Sequence, residues 1–193
     1  MTPFIRITIF VLVGCAIGYF SAHYVISGQI GDLTLRTGSW KLWKKAGHPD
    51  ADPYTKAHFS LRRELPLSSF EQMTFSADTD FNGASLSSVC TYTLDSAPLP
   101  ARAWELSVQP RSDETLATFT SKRTTFNANN VVRDPQGNFR LVLSDSARPG
   151  NWLPLPIDGT EFKLVLTLIN ADRKIIEDPA TLKLPEIRVG SCR

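Results

Sequence analysis

Five side chains between residues 123 and 152 have the types that hold polar ligands. Arg123, Asn127, Asn129 and Asn130 crowd one stretch, RTTFNANNVVR over 123–133, around Phe126. A guanidinium donates in a fixed fork and each amide both donates and accepts, a repertoire that suits a sugar-like or peptide ligand. The same asparagines can bond their own backbone and cap turns, so both uses remain open. Trp152, in the string Arg148-Pro149-Gly150-Asn151-Trp152-Leu153-Pro154, presents a large apolar ring beside a turn set by Pro and Gly, and is expected to be a buried loop anchor. Asp134 is the carboxylate that an acid–base site among these residues would use. Other carboxylate pairs, Asp78/Asp80 and Asp113/Glu114, fall in or beside loops, where solvated turns produce them routinely.

No catalytic residue can be assigned. The sequence has no Walker loop, no G-x-G-x-x-G, no G-x-S-x-G and no H-E-x-x-H. His48 lies in a Gly-His-Pro loop and His58 in a helical stretch. Neither has an acidic neighbour at metal-ligand spacing, so both read as surface histidines, with no metal and no cofactor implied. Cys90 falls on the apolar side of a strand pattern and Cys192 is the penultimate residue, while Cys15 lies in an apolar run that cannot reach them. Cys90 and Cys192 read as a disulfide in a domain outside the cytoplasm, and as free thiols inside it. A bridge closing a loop of about 100 residues contributes at most roughly 4–5 kcal/mol by the chain-entropy model.

The elements that must position these groups belong to two materials. Ile7–Ile26 reads ITIFVLVGCAIGYFSAHYVI, with His23 as its only ionisable group; Asp, Glu and Lys are absent from the first thirty residues and Arg6 is their only Arg. As a helix this run spans roughly 30 Å, the hydrocarbon thickness of a bilayer, and it lacks the polar stripe of a soluble core helix. Residues 1–27 therefore read as a permanent transmembrane anchor. A cleaved signal would need a better site than Ser21-Ala22-His23 or Ser27-Gly28-Gln29. A lipoprotein signal has the right residue types in Leu12-Val13-Gly14-Cys15, but Ala16–Ile26 stays apolar where a polar tether is normal. Gly14 and Gly18, one turn apart, permit close approach of a second helix or are simply tolerated in a membrane helix. Counting Arg36, Lys41, Lys44 and Lys45 after the span would place the following domain in the cytoplasm. Large domains, however, cross membranes largely regardless of charge, and the cysteine pair suits an oxidising compartment. The expectation is an inner-membrane protein with its C-terminal domain in the periplasm.

The remainder has 28–52 as a connector, with Trp40, Trp43, Lys41, Lys44 and Lys45 suited either to the membrane interface or to packing on the domain, and 53–193 as one β-rich domain. Asp52-Pro53 opens a helix with Tyr54, Ala57, Leu61 and Leu65 on its apolar face and Pro66 as its stop. Period-two alternation then places Met73, Phe75 and Ala77; Cys90, Tyr92 and Leu94; Trp104, Leu106 and Val108; Phe139, Leu141 and Leu143; and Phe162, Leu164, Leu166 and Leu168 on buried strand faces. Asp134–Gly137 reads as a hairpin turn. The fold class is mainly β, a β-sandwich or jelly-roll-like domain with a few short helices, behind one N-terminal transmembrane helix. In 193 residues there is room for one such domain. The 42% of hydrophobic residues excludes global disorder, and 21 Lys+Arg against 19 Asp+Glu argues against nucleic acid as a partner.

Several strings resemble one family. PGNWLP at 149–154, the following Phe162-Lys163-Leu164-Val165-Leu166, the Asp52-Pro53-Tyr54 opening, Arg62-Arg63-Glu64-Leu65-Pro66-Leu67, Leu99-Pro100-Ala101-Arg102-Ala103-Trp104 and Val131-Val132-Arg133-Asp134 are similar to the bacterial domain of unknown function 1214, over roughly 50–192. The resemblance implies a β-rich, jelly-roll-like domain and short members with an N-terminal membrane segment; it carries no catalytic residues. The expected protein is a single-pass, membrane-anchored envelope protein whose β-domain binds a protein partner or glycan-like ligand without catalysis. The alternatives are an enzyme of envelope sugars or lipids using Arg123, Asn127, Asn129, Asn130 and Asp134, and a subunit of a membrane complex with Gly14 and Gly18 in a helix seam.

Overall fold

A computed structural model describes residues 3–27, 32–111, 125–156 and 159–193. Period-two alternation produces two packed sheets. One runs β1 (Thr34–Thr37), β2 (Trp40–Trp43), β3 (Gln72–Ala77), β9 (Phe162–Ala171), β5 (Ala101–Pro110), β6 (Thr125–Asn127), antiparallel throughout. The other runs β10 (Glu186–Cys192), β4 (Cys90–Ser96), β7 (Phe139–Ser144), β8 (Asn151–Pro154), with β7 and β8 parallel. Each alternating set named above buries its apolar side, and both sheets contribute to one core. Trp104 of the larger sheet stacks on Phe139 of the smaller one, with ring centroids 4.8 Å apart and planes 12° from parallel. Tyr92 meets Phe162 edge-on at 5.7 Å. The mainly β, two-sheet expectation holds.

The differences from expectation lie at short elements. Within the stretch read as a connector, β1 and β2 extend the larger sheet, Trp40, Leu42 and Trp43 are buried, and Trp40 Nε1 donates to the Pro185 carbonyl at 2.7 Å. Four residues of alternation are too few to announce a strand. Asp52 does cap α2 (Pro53–Leu61), its Oδ1 accepting from the Tyr54 and Thr55 amides at 2.9 Å. The helix ends earlier than Pro66, because Arg63 takes a left-handed φ of 54° and closes the last turn. Its buried residues are Thr55 and His58, while Tyr54, Leu61 and Leu65 face outward. Asp134–Gly137 forms a tight turn, but the chain there passes between sheets: β6 pairs with β5, and β7 with β4 and β8.

Cys90 and Cys192 form a disulfide between paired β4 and β10, 102 residues apart in sequence. The chain begins with α1 (Pro3–Ile26), long and apolar enough to cross a membrane and with none of its residues buried. α3 (Arg173–Glu177) follows β9 and seats Ile175 in the core.

Candidate functional site

The anticipated polar cluster is built as a set of turn caps. Asn127 Oδ1 accepts from the Asn129 and Asn130 amides at 2.9 and 3.2 Å, and Asn130 Oδ1 accepts from the Asn127 amide at 2.8 Å. These reciprocal bonds hold the strand end of β6 in the geometry that asparagine favours. Arg123 lies outside the described residues. Asp134 accepts from Asn138 Nδ2 and from the backbone amides of Asn138 and Gln136, all at 2.8–2.9 Å. Those bonds, the Asn138 side chain foremost, hold its carboxyl below the usual range, with slight desolvation opposing. It is a fixed anion in a turn, poorly suited to accept a proton.

Trp152 sits on β8, half-buried, and Nε1 donates to the Ser144 carbonyl at 3.1 Å. Its neighbour Asn151 is the more deeply buried of the two and was not singled out by the sequence. Asn151 accepts from the Val132 amide at 2.7 Å and donates to the carbonyls of Val132 and Arg140 at 2.8 and 3.0 Å. It joins the inter-sheet crossover to β7 and β8. Beside it lies an open groove of about 740 Å³, lined by Val132, Asp134, Asn138 and the Asp95–Arg140 ion pair among others. The structure thus brings Asp134 and the turn at 149–151 together around one groove, while Trp152 itself and the Asn127–Asn130 caps do not line it.

A second site was missed. Where α1 ends, its last carbonyls lack partners within the helix. The domain supplies them. The His58 ring contacts the Ile26 carbonyl through Nδ1 at 2.7 Å, and a carbonyl only accepts, so the ring holds its proton on Nδ1. Lys41 Nζ reaches the Ser27 carbonyl at 3.4 Å, a cation at the negative end of a helix dipole. His58 is a buried residue, correcting the surface expectation; its ring packs on Trp43 with centroids 4.1 Å apart. Burial first, then the nearby Arg62, Lys41 and Lys163 charges, lower its pKa to about 4 against the raising effect of the Ile26 bond. The ring is therefore neutral at neutral pH.

Around this junction two hollows of about 380 and 300 Å³ adjoin, with Trp43, His58, Arg62, Ser76 and Lys163 lining both; the pair is termed the junction cleft. The end beside Ser27 gathers Arg36, Lys41, Arg62, Arg111 and Lys163 against one lining carboxylate, Asp78. Arg111 is paired with Glu161 at 2.9 Å and lies 3.8 Å from Asp78. The Lys41 pKa is lowered by burial and then by Arg36, with Asp78 opposing and Arg62 adding to the effect. The other end has a lip of Leu65, Pro66 and Leu67. Gly47 fixes that lip: a Cβ there would stand 2.1 Å from the Leu67 carbonyl oxygen, and its φ is +67°. The Lys41/Lys44/Lys45 cluster hinted at this charge. The contribution of Arg36, Arg62 and Lys163 could not be foreseen without the pairing of β2, β3 and β9.

Fold and site together define a two-sheet β domain closely joined to an N-terminal apolar helix. Residues 71–173 match the family described as protein of unknown function DUF1214, and the chain belongs to that family. It is similar to the VPA0106 protein from Vibrio parahaemolyticus, with 20% identity and a TM-score of 0.60 over 75% of this chain and 37% of that one, a likeness of fold. It also aligns with an uncharacterised protein from Burkholderia cenocepacia at 15% identity and a TM-score of 0.45, covering 90% of this chain and 41% of that one. The chain therefore spans less than half of either solved structure. No curated protein matches it.

Proposed function

We propose that the chain is a single-pass membrane-anchored envelope protein whose β-sandwich acts outside the cytoplasm as a binding module without catalysis. The observation that carries this reading is the uncovered apolar surface of α1, whose C-terminal carbonyls are bonded by the domain. A 24-residue helix is about 36 Å long, enough to cross the hydrocarbon. Leaving Phe4, Phe10, Leu12 and Ile17 in water would cost roughly 1.5–3 kcal/mol for each side chain. The Cys90–Cys192 bridge supports an oxidising compartment for the domain. The open groove beside the Trp152 loop suits a protein segment or a glycan-like ligand, with Asp95, Arg140 and Asn138 as polar contacts. Its acid, Asp134, is held ionised by amide donors, which supports binding over acid–base chemistry.

The test is topological. A membrane-impermeant protease added to spheroplasts digests the domain under this reading. Full protection in intact spheroplasts, with digestion after lysis, would reverse the orientation.

A further inference from the structure

We infer that the cleft at the junction of α1 and the β-domain is a binding site for one anionic phospholipid drawn from the bilayer that α1 spans. The inference deepens the anchored reading and rests on it. The cleft has two chemically different ends. At the Ser27 end, Arg36, Lys41 and Arg62 line the hollow, with Asp78 as the carboxylate among its lining residues. A phosphate diester fits such a place, because guanidinium and ammonium groups bind its oxygens by charge-assisted hydrogen bonds. The other end has a mixed lining in which Glu64 and Gln72 stand beside Phe59, Leu65, Pro66 and Leu67, and Leu65 and Leu67 are 95% and 52% exposed, which leaves apolar surface along that hollow. A lipid has its phosphate and its acyl chains on one molecule and matches both ends together.

Position singles out the source. Ser27, the residue that follows α1, lines the cationic end, and His58 lines both hollows while bonding the last carbonyl of α1. The cleft therefore lies where a membrane-spanning α1 would leave the hydrocarbon, at the depth of the lipid phosphates. Basic side chains near an anionic membrane surface each contribute about 1 kcal/mol of attraction. Burial first, then Arg36 and Arg62 against the opposing Asp78, depress the Lys41 pKa, so an anion beside Lys41 would stabilise its charged form.

The experiment uses the full chain in detergent, titrated with phosphatidylglycerol or phosphatidylcholine and read by native mass spectrometry. Phosphatidylglycerol should be retained in preference to phosphatidylcholine, at one molecule per chain. Arg36→Gln/Arg62→Gln should weaken that retention by about tenfold or more. Lys44→Gln/Lys45→Gln, at exposed residues that do not line the cleft, should change it less than twofold. Leu65→Ser/Leu67→Ser should weaken long-chain phosphatidylglycerol while sparing the dihexanoyl form. Circular dichroism of each variant confirms that the sheet is intact. Equal retention of the two lipids overturns the inference, as does an equal loss in the Lys44/Lys45 variant, which would indicate a diffuse basic surface. Displacement of the lipid by millimolar inorganic phosphate would assign the site to soluble phosphate instead. Alkaline extraction of membranes in parallel separates the two readings. A chain that stays in the membrane yet shows no lipid preference refutes this inference alone, while a chain released from the membrane refutes the anchor.

Discussion

The groove beside the Trp152 loop and the cleft beside α1 both gather polar side chains, but they use them differently. In the groove, the polar groups are committed to the protein itself. Asn151 joins three backbone groups, Asp134 accepts three donors, and Asp95 pairs with Arg140. In the cleft, cations outnumber the carboxylates that line it. The groove's lining residues, Asp95 to Asn151, all fall inside the family match of 71–173, whereas Arg36, Lys41, His58 and Arg62 fall outside it. The difference teaches that a groove whose polar groups already bond one another offers a ligand mainly its shape and their remaining bonding capacity, whereas the cleft offers an excess of cationic side chains.

This contrast predicts large stability effects away from the cleft and small ones within it. The largest belongs to the disulfide. Cys192→Ser should lower the unfolding free energy by up to about 4–5 kcal/mol, read by denaturant titration. Thiol titration of the unfolded, unreduced wild-type chain should find one reactive thiol, Cys15; three would remove the bridge from the account.

Asn151→Ala comes next. It strips three bonds from a buried junction, and leaving the backbone partners unsatisfied should cost about 2–3 kcal/mol. A loss below about 0.5 kcal/mol, the range of ordinary surface substitutions, would mean that Asn151 does not hold the crossover and is available to a ligand in the groove.

At the junction, His58 has a folded pKa of about 4, below its ordinary 6.5. Protons then bind the unfolded chain more readily than the folded one between those values. The His58 contribution is fully present above pH 6.5 and is lost as pH falls toward 4. Denaturant midpoints measured across that window should drop on acidification, and His58→Gln should flatten the slope. Desolvation raises the Asp52 carboxyl, but the Thr55 side chain and the α2 amides together hold it below its ordinary value, so it acts below that value and leaves the window unchanged. The smallest effect on stability is expected from Arg36→Gln/Arg62→Gln, within about 0.5 kcal/mol because both side chains are exposed. A large loss there would show that the cleft cations hold the fold together as the groove residues do.

The strands that carry the core were legible because β3, β4, β5, β7 and β9 alternate over six to ten residues and one face of each is buried. The β1–β2 pair escaped notice because its pattern is four residues long in each strand and its stability comes from pairing with β3. The outward face of α2 misled for a related reason. Tyr54, Leu61 and Leu65 form a regular apolar stripe, yet the side that packs is chosen by Trp43 and the end of α1, which meet His58. The groove was legible in part, through Asp134 and the Trp152 string, while the role of Asn151 depends on a crossover between sheets. The cleft was legible only as a lysine cluster, because its cations come from segments brought together by sheet order.

The central claim is that α1 stays in the membrane and holds the β-domain at its surface. Washing membranes with alkaline carbonate and taking the intact mass of the recovered chain tests it directly. The account predicts a pelleted chain that retains residues 1–27 with an unmodified Cys15. A soluble, shortened chain, or one that begins at an acylated Cys15, would contradict it.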